Sequence, residues 1–507
     1  MLKNVGSNWV LNIYIVVVSL IQGPYMVDML GRDGDGVWRI VLGATALLGL
    51  LVMGVPMASV RFFSEHLAVE DKKSLNQAIS SCIGLYLFLG MVALVVGAIF
   101  YIPFDMGLER AIDKGHVNAI WRSDARFAYA LVVLHIAFGF VAQLPYGIMV
   151  AHHDFVRRNT VMISGLTAKL FLIFLLLWLK SSISMLAIAS LGVLLAEFLV
   201  AWRIVVVKYP GTQISLRNFD RAMVKKIFSF SIFVLFLQLG IKLSFYLDGL
   251  VINWYMPAEY VSYYDRSGMF LVYLIEFLIA IGAVVMPMAA RLRVQNRTDE
   301  LGAVFLKWSK VAMCLTAMSC MFLAILGPEF VSAWLQDYRY RAPAEAVLPI
   351  LMGASLVFLP IRGVALPLLM GLGKPGLPTV AFLVSGVVNL ALKIILVPRL
   401  GLQGAAIGTA VPSVIFGVVV GIYVCRTIGV GAGAYFRYVY PKVLVGSLPV
   451  LALLFWIKYA RGIEGRFEIL AAGMMTAGLF GVMTVFYIYR NDEHVDLLGI
   501  LKRKITQ

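Results

Sequence analysis

The chain has 507 residues, of which 61% are hydrophobic and only 14% charged, and its mean hydropathy is +0.90. A water-soluble globule cannot hide that much apolar surface, so the composition excludes one and specifies an all-α polytopic membrane protein. The net charge of +16 is read first as a topology signal and not as affinity for nucleic acid.

A membrane span needs about 20 mostly apolar residues. On that rule the sequence predicts fourteen transmembrane helices: 8–30, 37–63, 79–102, 127–151, 160–179, 183–207, 227–253, 264–290, 303–326, 346–372, 377–397, 404–425, 441–459 and 468–489. The first is expected to be a retained span. It is too long for a signal-peptide core, and no small-x-small cleavage site follows it. One alternate set of loops, with Arg61, Arg157, Arg158, Lys208, Arg221, Lys225, Lys226, Arg291 and the tail around Arg503, holds about 25 Lys and Arg against about 14 in the other, which places it and both termini in the cytoplasm. The basic, amphipathic stretch from Leu216 to Phe228 is expected to lie along the membrane surface between two halves. Cys82, Cys314, Cys320 and Cys425 all sit in apolar segments, with spacing that matches neither a metal site nor a disulfide framework.

The chain partly repeats itself. The second predicted span ends Pro56-Met57-Ala58-Ser59-Val60-Arg61, and the eighth ends Pro287-Met288-Ala289-Ala290-Arg291. Ser164-Gly165 in the fifth span is echoed by Ser385-Gly386 in the eleventh, after Pro145 and Pro367 at a similar offset. Spans one to six and seven to twelve therefore form a parallel repeat, two six-helix lobes around a central cavity, with two extra C-terminal helices. The corresponding divisions are 1–210, 211–430 and 431–507. The tenth span contains Pro349, Pro360 and Pro367, with Arg362 between the last two. Proline frees a backbone carbonyl and bends a helix, so this span is expected to be broken.

Several segments carry a family resemblance. The first span leads into Leu30-Gly31-Arg32-Asp33-Gly34-Asp35-Gly36-Val37-Trp38, and the second reaches Arg61 with Glu65 soon after. Asp248 lies in the seventh span, Gly371-Leu372-Gly373-Lys374-Pro375 follows the tenth, and Asn389 precedes Val397-Pro398-Arg399-Leu400-Gly401-Leu402-Gln403-Gly404-Ala405-Ala406. In order and spacing, residues 1 to about 430 resemble the oligosaccharide flippases (Wzx-type and exopolysaccharide translocases, the polysaccharide transporter family) of the multidrug/oligosaccharidyl-lipid/polysaccharide export superfamily. One departure is visible: Ser229-Phe230-Ser231 stands where these proteins often carry a proline. The resemblance implies a V-shaped, two-lobed transporter of the bacterial inner membrane. Its cargo would be a polyprenyl-pyrophosphate-linked oligosaccharide, moved by rocking of the lobes and coupled to protons or sodium. It implies membrane lipids as surroundings, and polysaccharide polymerase and chain-length proteins as partners. No cofactor, no metal and no enzymatic activity are expected.

Charged residues inside spans name the candidate site. A cation at the bilayer centre costs about 3 kcal/mol, so it is held there by a partner, a watery cavity or a substrate. Arg362, Lys242, Lys393 and Lys169, followed by Arg39 and Arg266 nearer the span ends, are the candidates for an anionic pyrophosphate. Against that stand structural pairing and snorkelling to the interface. Asp28, Asp248, Glu197 and Glu276 are the candidate coupling acids, because a buried carboxylate switches by taking up a proton or cation. The alternative for Glu197 is a structural pair with Lys169. Trp254, Tyr255, Tyr263 and Tyr264 suit either an interfacial belt or a glycan contact. Three rival readings remain open. A drug exporter of the same superfamily favours a small acidic pocket, and a membrane glycosyltransferase or polymerase needs a large extramembrane domain. A flippase for a lipid-linked peptidoglycan precursor shares the cationic cavity.

Overall fold

The computed structural model describes residues 2–52, 54–68, 70–212, 218–228, 236, 239–240, 247–295, 297, 299–463 and 465–495. The chain folds as two compact units, residues 1–262 and 263–507. The described residues form helices joined by short turns.

The first unit holds α1 (Leu2–Thr45), α2 (Val55–Ala68), α3 (Lys72–Asp113), α4 (Arg122–Ala151), α5 (Phe155–Leu179), α6 (Ile183–Lys208) and the short α7 (Asp248–Tyr255). A straight helix of 44 residues would be about 66 Å long, twice the hydrocarbon thickness. The chain solves this at Gly31, whose φ of 70° and ψ of 171° break α1 into two. That backbone shape is open to glycine and closed to residues with a Cβ. The second piece of α1 continues through a 3-10 stretch, Ala46–Val52, into α2. Other ends are fixed by side chains. Asp71 caps α3, its Oδ1 accepting from the Ser74 N–H at 3.0 Å. Asp124, at the start of α4, receives the Ile183 N–H at 2.7 Å and the Ser182 hydroxyl at 2.6 Å, clamping α4 to the start of α6. The amphipathic stretch behaves as its pattern demands: along 221–228 Met223 and Ile227 are buried, and Arg221, Lys225 and Lys226 face out.

The second unit takes up α8 (Ala258–Val294, whose first residues belong to the first unit), α9 (Asp299–Ile325), α10 (Gly327–Leu335), α11 (Arg341–Pro360), α12 (Leu366–Gly371), α13 (Gly376–Leu400), α14 (Leu402–Thr427), α15 (Ala432–Val439), α16 (Pro441–Trp456) and α17 (Arg466–Met483). Between α11 and α12, residues Ile361–Ala365 form a π-turn. Pro367 has no N–H to return to Gly363, and the ladder slips by one register there. The hairpin of α13 and α14 turns at Gly401, with φ at 57°. It is tight because a Cβ on Gly404 would lie 2.4 Å from the Leu396 carbonyl oxygen.

Twelve helical stretches among the described residues are long and apolar enough to cross a membrane. Eleven of them each coincide with one predicted span. The twelfth, Ile13–Val52, runs through the first and second predicted spans, and Gly31 divides it within the loop expected between them. The predicted span 227–253 falls mostly outside the described residues, so the twelve stretches neither include nor replace it.

Candidate functional site

Arg362 sits on the π-turn, flanked by buried Ile361, Gly363, Val364 and Ala365. Its guanidinium carbon lies 5.2 Å from the centre of the Phe382 ring, a cation–π distance. The Glu276 carboxylate of α8 acts on the same charge through space. Glycines bring the elements that close. A Cβ on Gly363 would meet Leu278, one on Gly282 would lie 2.5 Å from Pro367 Cγ, and one on Gly371 would lie 2.3 Å from the Met286 carbonyl oxygen. The seam Gly363, Pro367, Gly371 runs at four-residue spacing, so α8 packs directly on the broken span, with Glu276 in electrostatic range of Arg362.

A second group lies in the α13–α14 hairpin. Lys393 is buried there, against Gly408, where a Cβ would come within 2.6 Å of its Cγ. Asn389 is one turn earlier and donates from Nδ2 to Thr409 Oγ1 at 3.4 Å. The Tyr264 hydroxyl lies 3.3 Å from the same Thr409 oxygen and donates to the Ala405 carbonyl at 3.4 Å. Arg266, two residues on from Tyr264, is buried as well. The second unit therefore holds three of the candidate cations, all buried or half-buried, and of these Arg362 alone stands on irregular backbone.

In the first unit Glu197 of α6 rests against Gly165 of α5, in the notch where a Cβ would be. Tyr146 of α4 donates its hydroxyl to Glu197 Oε2 at 3.1 Å. Lys169, one turn beyond Gly165, is in electrostatic range of Glu197 and of the His135 ring. Arg39 is bonded through Nε to Asp35 Oδ2 at 3.1 Å, and Ser262 donates to the same oxygen at 2.6 Å. Asp35 is wholly buried, and a Cβ on its neighbour Gly36 would lie 1.9 Å from the Ala258 carbonyl oxygen. The Gly36-Val37-Trp38 segment thus marks a place where two backbones touch. Asp28 lies on an exposed face of α1, Asp248 is half-buried at the start of α7, and Glu276 is exposed. Lys242 lies outside the described residues.

The structure thus gathers the candidates into groups: Arg362 with Glu276, Lys393 with Asn389 and Tyr264, Lys169 with Glu197, and Arg39 with Asp35. Among the described charged contacts that the sequence candidates do not cover, two involve wholly buried carboxylates. Asp35 falls in a predicted loop, although its four-residue spacing from Arg39 is the helical pairing signal. Lys310 pairs with Asp492, both side chains 1% exposed, across 182 residues of chain. No local pattern announces that pair.

Residues 1–293 match the family described as polysaccharide biosynthesis protein. An uncharacterized membrane protein of Methanocaldococcus jannaschii is 24% identical over 229 residues, which is 45% of this chain and less than half, 44%, of that relative. Among solved structures, the lipid II flippase MurJ in an inward closed conformation superimposes with a TM-score of 0.70 over 100% of both chains, at 15% identity. An inward-facing multidrug resistance MATE transporter gives 0.64, covering 81% of this chain and 94% of its own, at 16% identity. A transporter of Pyrococcus furiosus, described as having a binding pocket of reverse polarity, gives 0.59, covering 84% and 96%, at 14% identity. At such identities the likeness carries the fold alone, an all-α fold of many membrane-spanning helices shared with these proteins.

Proposed function

Because the chain belongs to the polysaccharide biosynthesis protein family, we propose that it is a flippase for polyprenyl-pyrophosphate-linked oligosaccharides, moving them from the inner to the outer leaflet of the cytoplasmic membrane. Its work is transport, with no bond made or broken. Both termini lie in the cytoplasm, and polymerase and chain-length proteins take the glycan up afterwards. The observation that carries this reading is Arg362, a guanidinium held mid-span on a π-turn. A charge there is expensive unless an anion completes it, and a guanidinium fork fits two phosphate oxygens. π-Turns of this kind recur at functional sites.

Alternating access follows from the same place. The pyrophosphate binds Arg362 and weakens its attraction to Glu276, which is then free to take up a proton or sodium ion. Return of the empty carrier needs Glu276 to re-engage Arg362. Lys393 and Arg266 set the positive field of this unit from behind, while the lipid chain stays in the bilayer. Lys169 with Glu197 gives the first unit a second charge pair that changes with the coupling ion.

The test is translocation of a labelled polyprenyl-pyrophosphate oligosaccharide in proteoliposomes under proton and sodium gradients. Wild type moves the lipid. Arg362→Ala reduces the rate at least tenfold, Arg362→Lys keeps part of it, and both variants fold normally. Transport of a lipid-linked peptidoglycan precursor instead, or of small organic cations alone, replaces this reading with one of its two rivals.

A further inference from the structure

A pocket of about 290 Å³ opens in the first unit between the second piece of α1, the end of α3 and α7. Its body is apolar, built by Ile40, Leu47, Phe100, Phe104, Leu108 and Leu250. Two cations stand at its rim. Arg110 stacks on the Trp254 ring, 4.3 Å from its centre, and Lys114 reaches the Trp254 carbonyl at 3.4 Å. Arg110 stands in the last turn of α3 and Lys114 caps its end with helical backbone, so the two lie on one face. Of the acids on that helix, Asp105 bonds Arg126 and Glu109 bonds both Arg126 and Arg122, while the exposed Asp113, beside Lys114, pairs with neither cation. Among the described residues neither Arg110 nor Lys114 has a carboxylate within ion-pair distance. Inside, Asn253 is 8% exposed and lines the pocket, and its Oδ1 accepts no hydrogen bond. A buried carbonyl oxygen left so is costly, and it calls for a donor from a ligand.

We propose that this pocket binds one bulk membrane phospholipid with an anionic, hydroxyl-bearing headgroup, of the phosphatidylglycerol class. The phosphate lies between Arg110 and Lys114, a headgroup hydroxyl donates to Asn253 Oδ1, and the start of an acyl chain enters the apolar body. Each part of the ligand answers a feature of the site: two cations without a carboxylate, one orphaned acceptor, and an apolar wall. A free phosphate leaves the wall and the acceptor unused. The volume decides between lipids. At just below the 300–1,000 Å³ range of ligand pockets, it suits a monophosphate headgroup and a length of chain better than a pyrophosphate carrying an oligosaccharide. The inference stands apart from the flippase reading, since it concerns a resident lipid and not cargo.

The experiment is native mass spectrometry of the full chain released from nanodiscs of mixed phosphatidylglycerol, phosphatidylethanolamine and phosphatidic acid. Wild type should keep phosphatidylglycerol in preference to the other two. The Arg110→Gln/Lys114→Gln double variant should bind it at least tenfold more weakly. Asn253→Leu should lose the preference over phosphatidic acid, which lacks the hydroxyl. Gly107→Leu fills the pocket from a glycine with open space above its Cα, and it should release the lipid without unfolding the helix. Equal retention by wild type and the double variant overturns the proposal. So does displacement of the lipid by an equimolar polyprenyl phosphate, which would make this a station for the carrier. Gel filtration and melting curves confirm that the variants compared are folded. Because the readout is bound lipid, loss of translocation with lipid retained speaks only against the flippase.

Discussion

Lys310 and Asp492 form a buried ion pair of the second unit that the proposed transport mechanism leaves unused. The ammonium also lies over the rings of Tyr438 and Tyr489, at 4.6 and 5.1 Å. Tyr438 donates to Asp492 Oδ1 at 2.7 Å, and the backbone N–H of His494 donates to the same oxygen at 3.0 Å. Burial works to raise the pKa of Asp492, but the bonds from Lys310, Tyr438 and His494 outweigh it and hold the carboxyl below the usual carboxylate range. A depressed folded pKa contributes stability that is complete above the unfolded value, about 4, and is lost as pH falls through the folded one. Acid unfolding of wild type should therefore have a component below about pH 4 that Asp492→Asn lacks. That variant leaves a buried ammonium unpaired and should cost about 3–5 kcal/mol, read by thermal unfolding in micelles. The paired replacement Lys310→Met/Asp492→Leu should recover most of the loss; if it does not, the pair is doing more than neutralising itself.

At the scale of elements, glycines decide how helices approach. Gly371→Ala drives a Cβ into the backbone carbonyl of Met286, which cannot move aside, and overpacking of this kind costs about 1–3 kcal/mol. Gly165→Ala meets the Glu197 side chain from its carboxylate back to Cγ, which can turn aside as a backbone carbonyl cannot, so it should cost less stability than Gly371→Ala while displacing the carboxylate from its notch. Unfolding curves should separate the two variants, and translocation should fall in both. Gly31→Ala, at φ 70° and ψ 171°, should cost about 1–3 kcal/mol because that backbone region is populated essentially by glycine. A Gly31 variant as stable as wild type would mean that α1 is divided by something other than its glycine.

At the scale of the whole molecule, the charge of the loops predicts that both termini face the cytoplasm. The four cysteines are buried, so single cysteines added at Ser7 and Glu493 can be read by impermeant thiol labelling of intact cells. Neither should label until the membrane is opened. Labelling of either from outside reverses the orientation that the proposed direction of transport needs. Most of the helices are legible in the sequence, since a run of some 20 apolar residues has one stable form in lipid. Eleven predicted spans match a described helical stretch one to one. The break of the tenth span is legible from its prolines. Its conversion into a π-turn under Arg362 is not, because a missing proline N–H marks where the ladder yields and leaves open whether the helix kinks or slips by one register.

What the sequence determined by itself is whatever depends on solvation and local backbone freedom: a multispan helical membrane protein, a first span that stops near Gly31, a broken span around Arg362, and charges buried at a cost. Tertiary structure decided the partners. Arg39 is answered by Asp35 and by Ser262 from far along the chain, Glu197 finds a notch in another helix, and Lys310 waits for Asp492 across 182 residues. Arg110 and Lys114 are left at the rim of an apolar pocket. The physical reason is one of range. Hydrophobic transfer and φ/ψ preference act on each residue where it stands, whereas a buried charge takes its meaning from whichever side chain packing brings within a few ångströms.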